Sequence, residues 1–351
     1  MVNYISSIDP HVHLRGEEYS QNYLGLGFSD ARQVGLQAIL EQPNPNPWLT
    51  TEGVIKSRLY KAGLYNRYVF HRIHIGMTND LEQVKTALNL VISKKYSLIS
   101  DKTFYVHSTG NMGILDPEIQ KNIWKIKGEL GYNGVSIGHF EAEDSFTGEF
   151  DPKNPISHSL KQNPEAELIQ VERQIKNAKD YNFKGTFYIA HVSNPDTVDY
   201  IERENPNLPF QVIMEITFHH MFLNTNDYKI HGNRVKINPP LREPKLQERL
   251  LNYVLNGRLQ IIGTDHAPHP IEKKDSTSPL SGIPTLPFWP KGIELLRENK
   301  IKKEILENLI FHNTNKIFQL NLTPIRKKIN YDPSLWDSYG YNPFSRIDGS
   351  K

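Results

Sequence analysis

The sequence predicts an α/β fold, a single (β/α)8 barrel of the TIM type. Two features of the chain carry that expectation: eight short runs rich in β-branched or aromatic residues, and helix-like segments between most of them. The runs are Tyr4–Ile8, Leu36–Leu40, Tyr68–Ile75, Thr103–Val106, Val135–Gly138, Thr186–Ala190, Val212–Ile216 and Leu259–Gly263. The intervening helices are expected at Thr51–Ala62, Asp80–Ser93, Pro117–Leu130, Pro164–Tyr181, Pro195–Glu204 and Pro244–Leu255. Proline at the first helical position opens four of them. Two further helices, Pro290–Asn299 and Lys303–Asn313, follow the eighth run. This alternation suits a closed barrel better than an open doubly wound sheet, and neither GxGxxG nor GxxxxGK[ST] occurs. The barrel is expected over residues 1–329. The stretch 330–351, rich in Tyr, Pro, Asp and Ser and without helical period, is expected to form an ordered tail packed on it.

Composition narrows the chemistry. The 351 residues are 38% hydrophobic and 23% charged, the profile of a globular chain rather than a disordered one. Lys+Arg 41 against Asp+Glu 39 leaves a net +2, too small for a surface that tracks nucleic acid or an anionic membrane. No run approaches the length of a membrane span and MVNYISSIDP has no signal-peptide pattern, so a cytoplasmic protein acting on a small molecule is expected. A homo-oligomer is left open. With no cysteine in the chain, disulfides, thiolate nucleophiles and Cys-bound zinc are all excluded. Any metal must be held by His, Asp, Glu or a modified Lys.

In such a barrel the working residues stand where each strand ends and its loop begins. His11 and His13 follow the first run in DPHVHLRG, His139 follows the fifth, His191 the sixth and Asp265 the eighth. Side chains two apart on a strand point the same way, so His-x-His grips one ion from one side. Imidazole and carboxylate are zinc ligands, and four strand ends converging on one face suggest a pair of ions. Two cations close together need a bridging anion. Lys102 lies just before the fourth run, and an ammonium there would be disfavoured unless neutral or converted to an anion. From chemistry alone Lys102 reads as an exposed lysine at a strand edge.

DPHVHLRG, QPNPNP, KTFYVHSTGNMGI, HFEAED, NPEAELIQVERQI, IAHVS, MEITFHHMFL, VKINPPLRE, GTDHAPH and SGIPTLP resemble, in order, the signature segments of dihydroorotases, cyclic amidohydrolases of the amidohydrolase superfamily. The resemblance spans about residues 8–325. It implies a (β/α)8 barrel, reversible cyclisation of N-carbamoyl-L-aspartate to dihydroorotate in pyrimidine synthesis, and two zinc ions per chain. The ligands it implies are His11, His13, His139, His191, Asp265 and Lys102, the last N-carboxylated as the bridge. Asp265 would also serve as the catalytic acid and base. Arg15, Asn44 and His269 match the family's substrate-carboxylate contacts, as suits a planar guanidinium fork and an amide donor. Asn238 and Arg242 match a segment near the ring.

His219 and His220 read as packing or as groups orienting the ligands, and Glu141 and Asp144 as orienting groups or helix caps. The loop Val106–Gly113 reads either as a lid over the ring or as an ordinary polar loop. The chain also departs from the family. Only ten residues precede His11, so a small flanking β-domain is expected to be absent or vestigial. Phe218 stands where proline is usual, and RGEE replaces REPG. Two other readings stay open: another cyclic amidase (dihydropyrimidinase, hydantoinase or allantoinase), and a non-catalytic partner of aspartate transcarbamoylase. Arg15, Asn44 and His269 argue against the first, and the unsubstituted ligand set against the second.

Overall fold

The computed structural model describes residues 2–16, 18–107 and 112–349. Eight parallel strands run side by side in chain order: β2 (Ser7–Val12), β3 (Leu36–Glu41), β4 (Phe70–Gly76), β5 (Leu98–Phe104), β6 (Val135–His139), β7 (Thr186–Ile189), β8 (Gln211–Thr217) and β9 (Ile261–Gly263). The ends of this sheet meet. Val12 forms a parallel bridge with His266, and the His13 backbone N–H donates to the His266 carbonyl at 2.7 Å. Deeper in the barrel the Asp9 carboxylate accepts from the Thr264 backbone N–H at 3.0 Å and from its hydroxyl. Helices surround the strands, so the expected (β/α)8 barrel is the observed architecture.

Several boundaries differ from the sequence expectation. The first run, Tyr4–Ile8, straddles two strands: β1 (Val2–Ile5) leaves the barrel and pairs antiparallel with β10 (Arg326–Ile329). The break falls at Ser6, whose backbone N–H is taken by the Ile325 carbonyl at 2.6 Å. This two-stranded ribbon is the β-structure flanking the barrel among the described residues. The fourth barrel strand begins at Leu98 and ends at Phe104, not at Thr103–Val106. Its Ser100, Asp101, Lys102 and Thr103 are fully buried polar residues, which do not read as a strand. Successive side chains on a strand face opposite sides. Asp101 therefore meets Lys127 of the surrounding helix Pro117–Glu129 at 2.7 Å, and Lys102 faces the barrel interior.

A helix at Tyr23–Gln33 was not expected, because its YLGLGF start carries two glycines. Gly27 permits close approach: a Cβ there would lie 2.4 Å from a Leu14 methyl. The last predicted helix divides into Lys303–Glu307, a π turn at Asn308–His312 and Asn313–Ile317. Beyond β10, short helical turns at Pro333–Ser338 and Ser345–Asp348 lie against the barrel. Phe344 stacks on Phe288 at 3.9 Å, and Phe288 in turn meets Phe218 edge-on. No helix among the described residues is long and apolar enough to cross a membrane.

Candidate active site

His11, His13 and Asp265 converge at the C-terminal ends of β2 and β9, and each places a ligand atom within 4.8 Å of the others. Asp265 Oδ1 lies 3.3 Å from His11 Nε2 and 2.9 Å from His13 Nε2. The far nitrogens are held: His11 Nδ1 donates to Glu215 Oε1 at 2.8 Å, and His13 Nδ1 to Asn44 Oδ1. Burial lowers His13 from its ordinary 6.5 to about 4, so its imidazole is neutral near pH 7. With the single proton on Nδ1, Nε2 presents a lone pair to a carboxylate oxygen. Two electron-rich atoms at 2.9 Å call for a cation between or beside them, and this donor set suits a divalent metal.

Of the other predicted ligands, His139 and His191 line the same cavity, and Lys102 is not among its lining residues. His139, at the end of β6, donates Nε2–H to Glu141 Oε2 at 2.8 Å, which leaves Nδ1 for coordination. His191 follows β7 and stands edge-on to His139, ring centres 4.4 Å apart, and 5.3 Å from His11. Its buried Nδ1 has no hydrogen-bond partner among the described residues. Lys102 is not the exposed lysine that its chemistry alone suggested. It is fully buried, its Nζ likewise has no hydrogen-bond partner, and burial lowers it from 10.5 to about 8. Its Nζ stands 5.1 Å from the centre of the Phe104 ring, and an ammonium buried without a hydrogen bond is costly.

Burial pushes Asp265 upward, and positive charge at His11 and His13 would pull it below the usual range; with the His13 imidazole neutral, a bound cation would take that part. Arg15, His191 and Asp265 all have left-handed backbones, with φ of 53°, 39° and 47°. Such conformations cost about 1–3 kcal/mol each and concentrate where geometry serves chemistry.

Arg15 and Asn44 line the same cavity as the histidines. Arg15 is buried, donates Nε–H to the Pro268 carbonyl at 2.9 Å, and has Nη2 2.9 Å from His269 Nε2. His269 Nδ1 is 2.6 Å from the Tyr19 hydroxyl. Asn238 lines the cavity, whereas Arg242 is spent on Ser193 Oγ and the Gln162 carbonyl. His220 contacts Thr217 Oγ1 and the Pro239 carbonyl. His219 is buried without a hydrogen-bond partner among the described residues, and burial lowers it to about 4. Glu141 orients His139, while Asp144 pairs with Arg173 on the surface. In the loop Val106–Gly113, residues 108–111 lie outside the described residues.

Sequence reading missed Glu215. On β8 it accepts from His11 Nδ1, from the Tyr188 hydroxyl at 2.7 Å and from the His191 backbone N–H at 3.0 Å. The available signal was a lone carboxylate inside the apolar run QVIMEIT. Asp9 was missed as well. It bonds Thr264 and the His11 backbone N–H, and burial raises it to about 7.

No family model matches the chain. It is 27% identical over 316 residues to the dihydroorotase of Archaeoglobus fulgidus, which covers 89% of this chain and 71% of that relative. The chain is dihydroorotase-like. Its fold is close to that of the L-hydantoinase of Arthrobacter aurescens, with TM-score 0.76, 19% identity, and 91% of this chain and 72% of that one covered. It is also similar to the Saccharomyces cerevisiae dihydroorotase solved with 5-fluoroorotic acid, with TM-score 0.74, 18% identity, and 91% and 86% covered. At these identities the structural likeness speaks for the barrel alone.

Proposed function

We propose that the chain is a dihydroorotase, interconverting dihydroorotate and N-carbamoyl-L-aspartate in pyrimidine synthesis. The observation that carries this reading is a buried Arg15, with Asn44 on the same wall and His269 against it, beside the His11, His13 and Asp265 cluster. A cyclic amide bearing a carboxylate needs both halves of that cavity, and a neutral ring needs only one. His11, His13, His139, His191 and Asp265, together with Lys102 N-carboxylated by carbon dioxide, would hold two zinc ions. When bound, the pair supplies Lewis acidity to the ring carbonyl and acidifies the attacking water.

The chain's own residues do the rest. Arg15 pairs with the substrate carboxylate and sets the ring's orientation. Asp265 takes a proton from the water that attacks the ring amide and returns it to the departing ring nitrogen. Ring closure runs the same transfers backward. The nearly balanced charge supports a small-molecule substrate, with neither nucleic acid nor membrane as partner.

The test is release of carbamoyl-aspartate from dihydroorotate by purified, zinc-loaded protein, assayed beside dihydrouracil, hydantoin and allantoin. Preference for dihydroorotate supports the reading. Turnover of the uncharged rings with none of dihydroorotate would replace it with a hydantoinase-type activity.

A further inference from the structure

Lys274 closes the four-residue helix Ile271–Lys274 and is fully buried. Its Nζ donates to three backbone carbonyls, those of Lys236, Leu280 and Gly282, each at 2.8 Å. No carboxylate pairs with it among the described residues. Three acceptors ask for three N–H donors, which an ammonium has and a neutral amine lacks. Burial, Lys236 and Arg15 push Lys274 well below the ordinary lysine range and Asp275 acts in the opposite direction; the three carbonyl contacts are themselves of the kind that favours the charged form.

The carbonyls belong to two segments that wall the candidate active site. Lys236 leads into Asn238, Leu280 and Gly282 flank Ser281, and Asn238, Ser281 and Gly282 all line the cavity. The segments are tied again by the Gly282 N–H to the Lys236 carbonyl at 2.9 Å and by Lys236 Nζ to Ser281 Oγ at 2.7 Å. From there the contacts reach the residues assigned to the substrate carboxylate. The Ser281 carbonyl lies 2.9 Å from His269 Nε2. Gly282 has φ 129°, and a Cβ there would lie 2.6 Å from the Ala267 carbonyl oxygen and 3.0 Å from Arg15 Nη2. Its backbone is therefore pressed against the Arg15 guanidinium.

We propose that Lys274 is a positioning residue for anion binding: its ammonium gathers the carbonyls of residues 236, 280 and 282 and so holds His269 and Arg15 in the geometry that receives a carboxylate. The inference rests on the carboxylate role given to Arg15 and His269 above. Lys274 touches none of the candidate metal ligands, so its loss should reach substrate binding without reaching the metal.

Lys274→Ala removes Cγ through Nζ and leaves a slot the size of propylammonium. The variant should keep its zinc, raise the KM for dihydroorotate about tenfold or more and change kcat by less than about threefold. Propylammonium should restore KM, and 1-propanol should not. Backbone hydrogen exchange at Gly282 should accelerate in the variant and slow again with propylammonium, whatever the substrate. Lys274→Met, which fills the space without charge, should show the same KM rise with no rescue, and it stands in if the alanine variant does not fold.

An unchanged KM, rescue by 1-propanol as effective as by the amine, or loss of zinc and kcat together with KM would overturn the proposal, as would failure of both variants to fold. A wild-type protein inactive on dihydroorotate would remove the functional reading alone. The exchange at Gly282 would still decide whether Lys274 holds the loop.

Discussion

Glu215 accepts the Nδ1 proton of His11 at 2.8 Å and thereby fixes Nε2 as the nitrogen that faces Asp265. The same carboxylate holds the His191 backbone N–H, so one side chain on β8 orients candidate ligands from two other strands. Glu215→Gln keeps the size and loses the charge that favours the Nδ1–H tautomer. Zinc affinity should fall by about 10- to 100-fold, as for other groups that orient metal-bound histidines, with activity restored at excess zinc. Competition against a chelator measures this. Unchanged affinity would reduce Glu215 to a packing role.

Lys102 should govern both metal count and the route to the loaded site. Metal analysis of the native protein should return about two zinc per chain, the number a bridged pair requires. Lys102→Ala should lose most of the activity and part of the metal. Carboxylation needs the neutral amine, and burial lowers Lys102 to about 8. At fixed dissolved carbon dioxide, recovery of activity by zinc-loaded apoprotein should therefore accelerate as pH rises toward 8 and level off above it. A recovery rate indifferent to carbon dioxide would remove the carboxylated bridge.

The barrel was legible in the sequence because its strands are short runs of β-branched and aromatic residues and its helices carry proline and cap signals. The candidate ligands were legible because they stand in order at strand ends. What stayed hidden depends on burial and backbone torsion, which periodicity does not encode. Lys102 looks exposed because its neighbours are polar, yet Asp101 beside it is neutralised by Lys127 from a helix 26 residues along the chain. Glu215 shares one face of its strand with Gln211, Ile213 and Thr217, a mixed pattern that singles out no residue. The left-handed backbones of Arg15, His191 and Asp265 leave no mark in the sequence, since none of the three is glycine.

Arg15 is buried with its guanidinium against His269. Arg15→Met should weaken use of dihydroorotate by about 2–5 kcal/mol in the apparent barrier, the range for truncating one partner of a buried charge pair. The loss should be much smaller for an uncharged ring such as dihydrouracil. Steady-state kinetics on both substrates settle it, and equal losses would take the carboxylate role away from Arg15.

Asp265 Oδ1 lies 3.3 Å from His11 Nε2 and 2.9 Å from His13 Nε2, where the ionised carboxylate can accept a proton from the attacking water. Asp265→Asn should abolish hydrolysis and ring closure together while leaving partial zinc occupancy, since one residue serves both directions. Retention of ring closure alone would assign the proton to another group.

The tail offers a test away from the site. Tyr339 donates its hydroxyl to Asp30 Oδ2 at 2.6 Å, joining the segment after β10 to the helix Tyr23–Gln33. Burial raises Asp30 from its ordinary 3.8 to about 7, and the Tyr339 hydrogen bond acts against that rise. A carboxyl with a raised folded pKa keeps its proton in the native state after the unfolded chain has lost it. Its contribution to stability is therefore complete below about pH 4 and is lost as pH climbs through about 7, at up to about 1.4 kcal/mol per pH unit inside that window. Asp30→Asn has no proton to lose, so its urea midpoint should change less between pH 5 and pH 7.5 than that of the wild type. Tyr339→Phe removes the bond that opposes the rise, which should push the Asp30 pKa higher and carry the loss of stability to higher pH. Three superimposable pH profiles would mean that Asp30 titrates as it does in the unfolded chain, and that the tail is held by Phe344 on Phe288 rather than by this hydrogen bond.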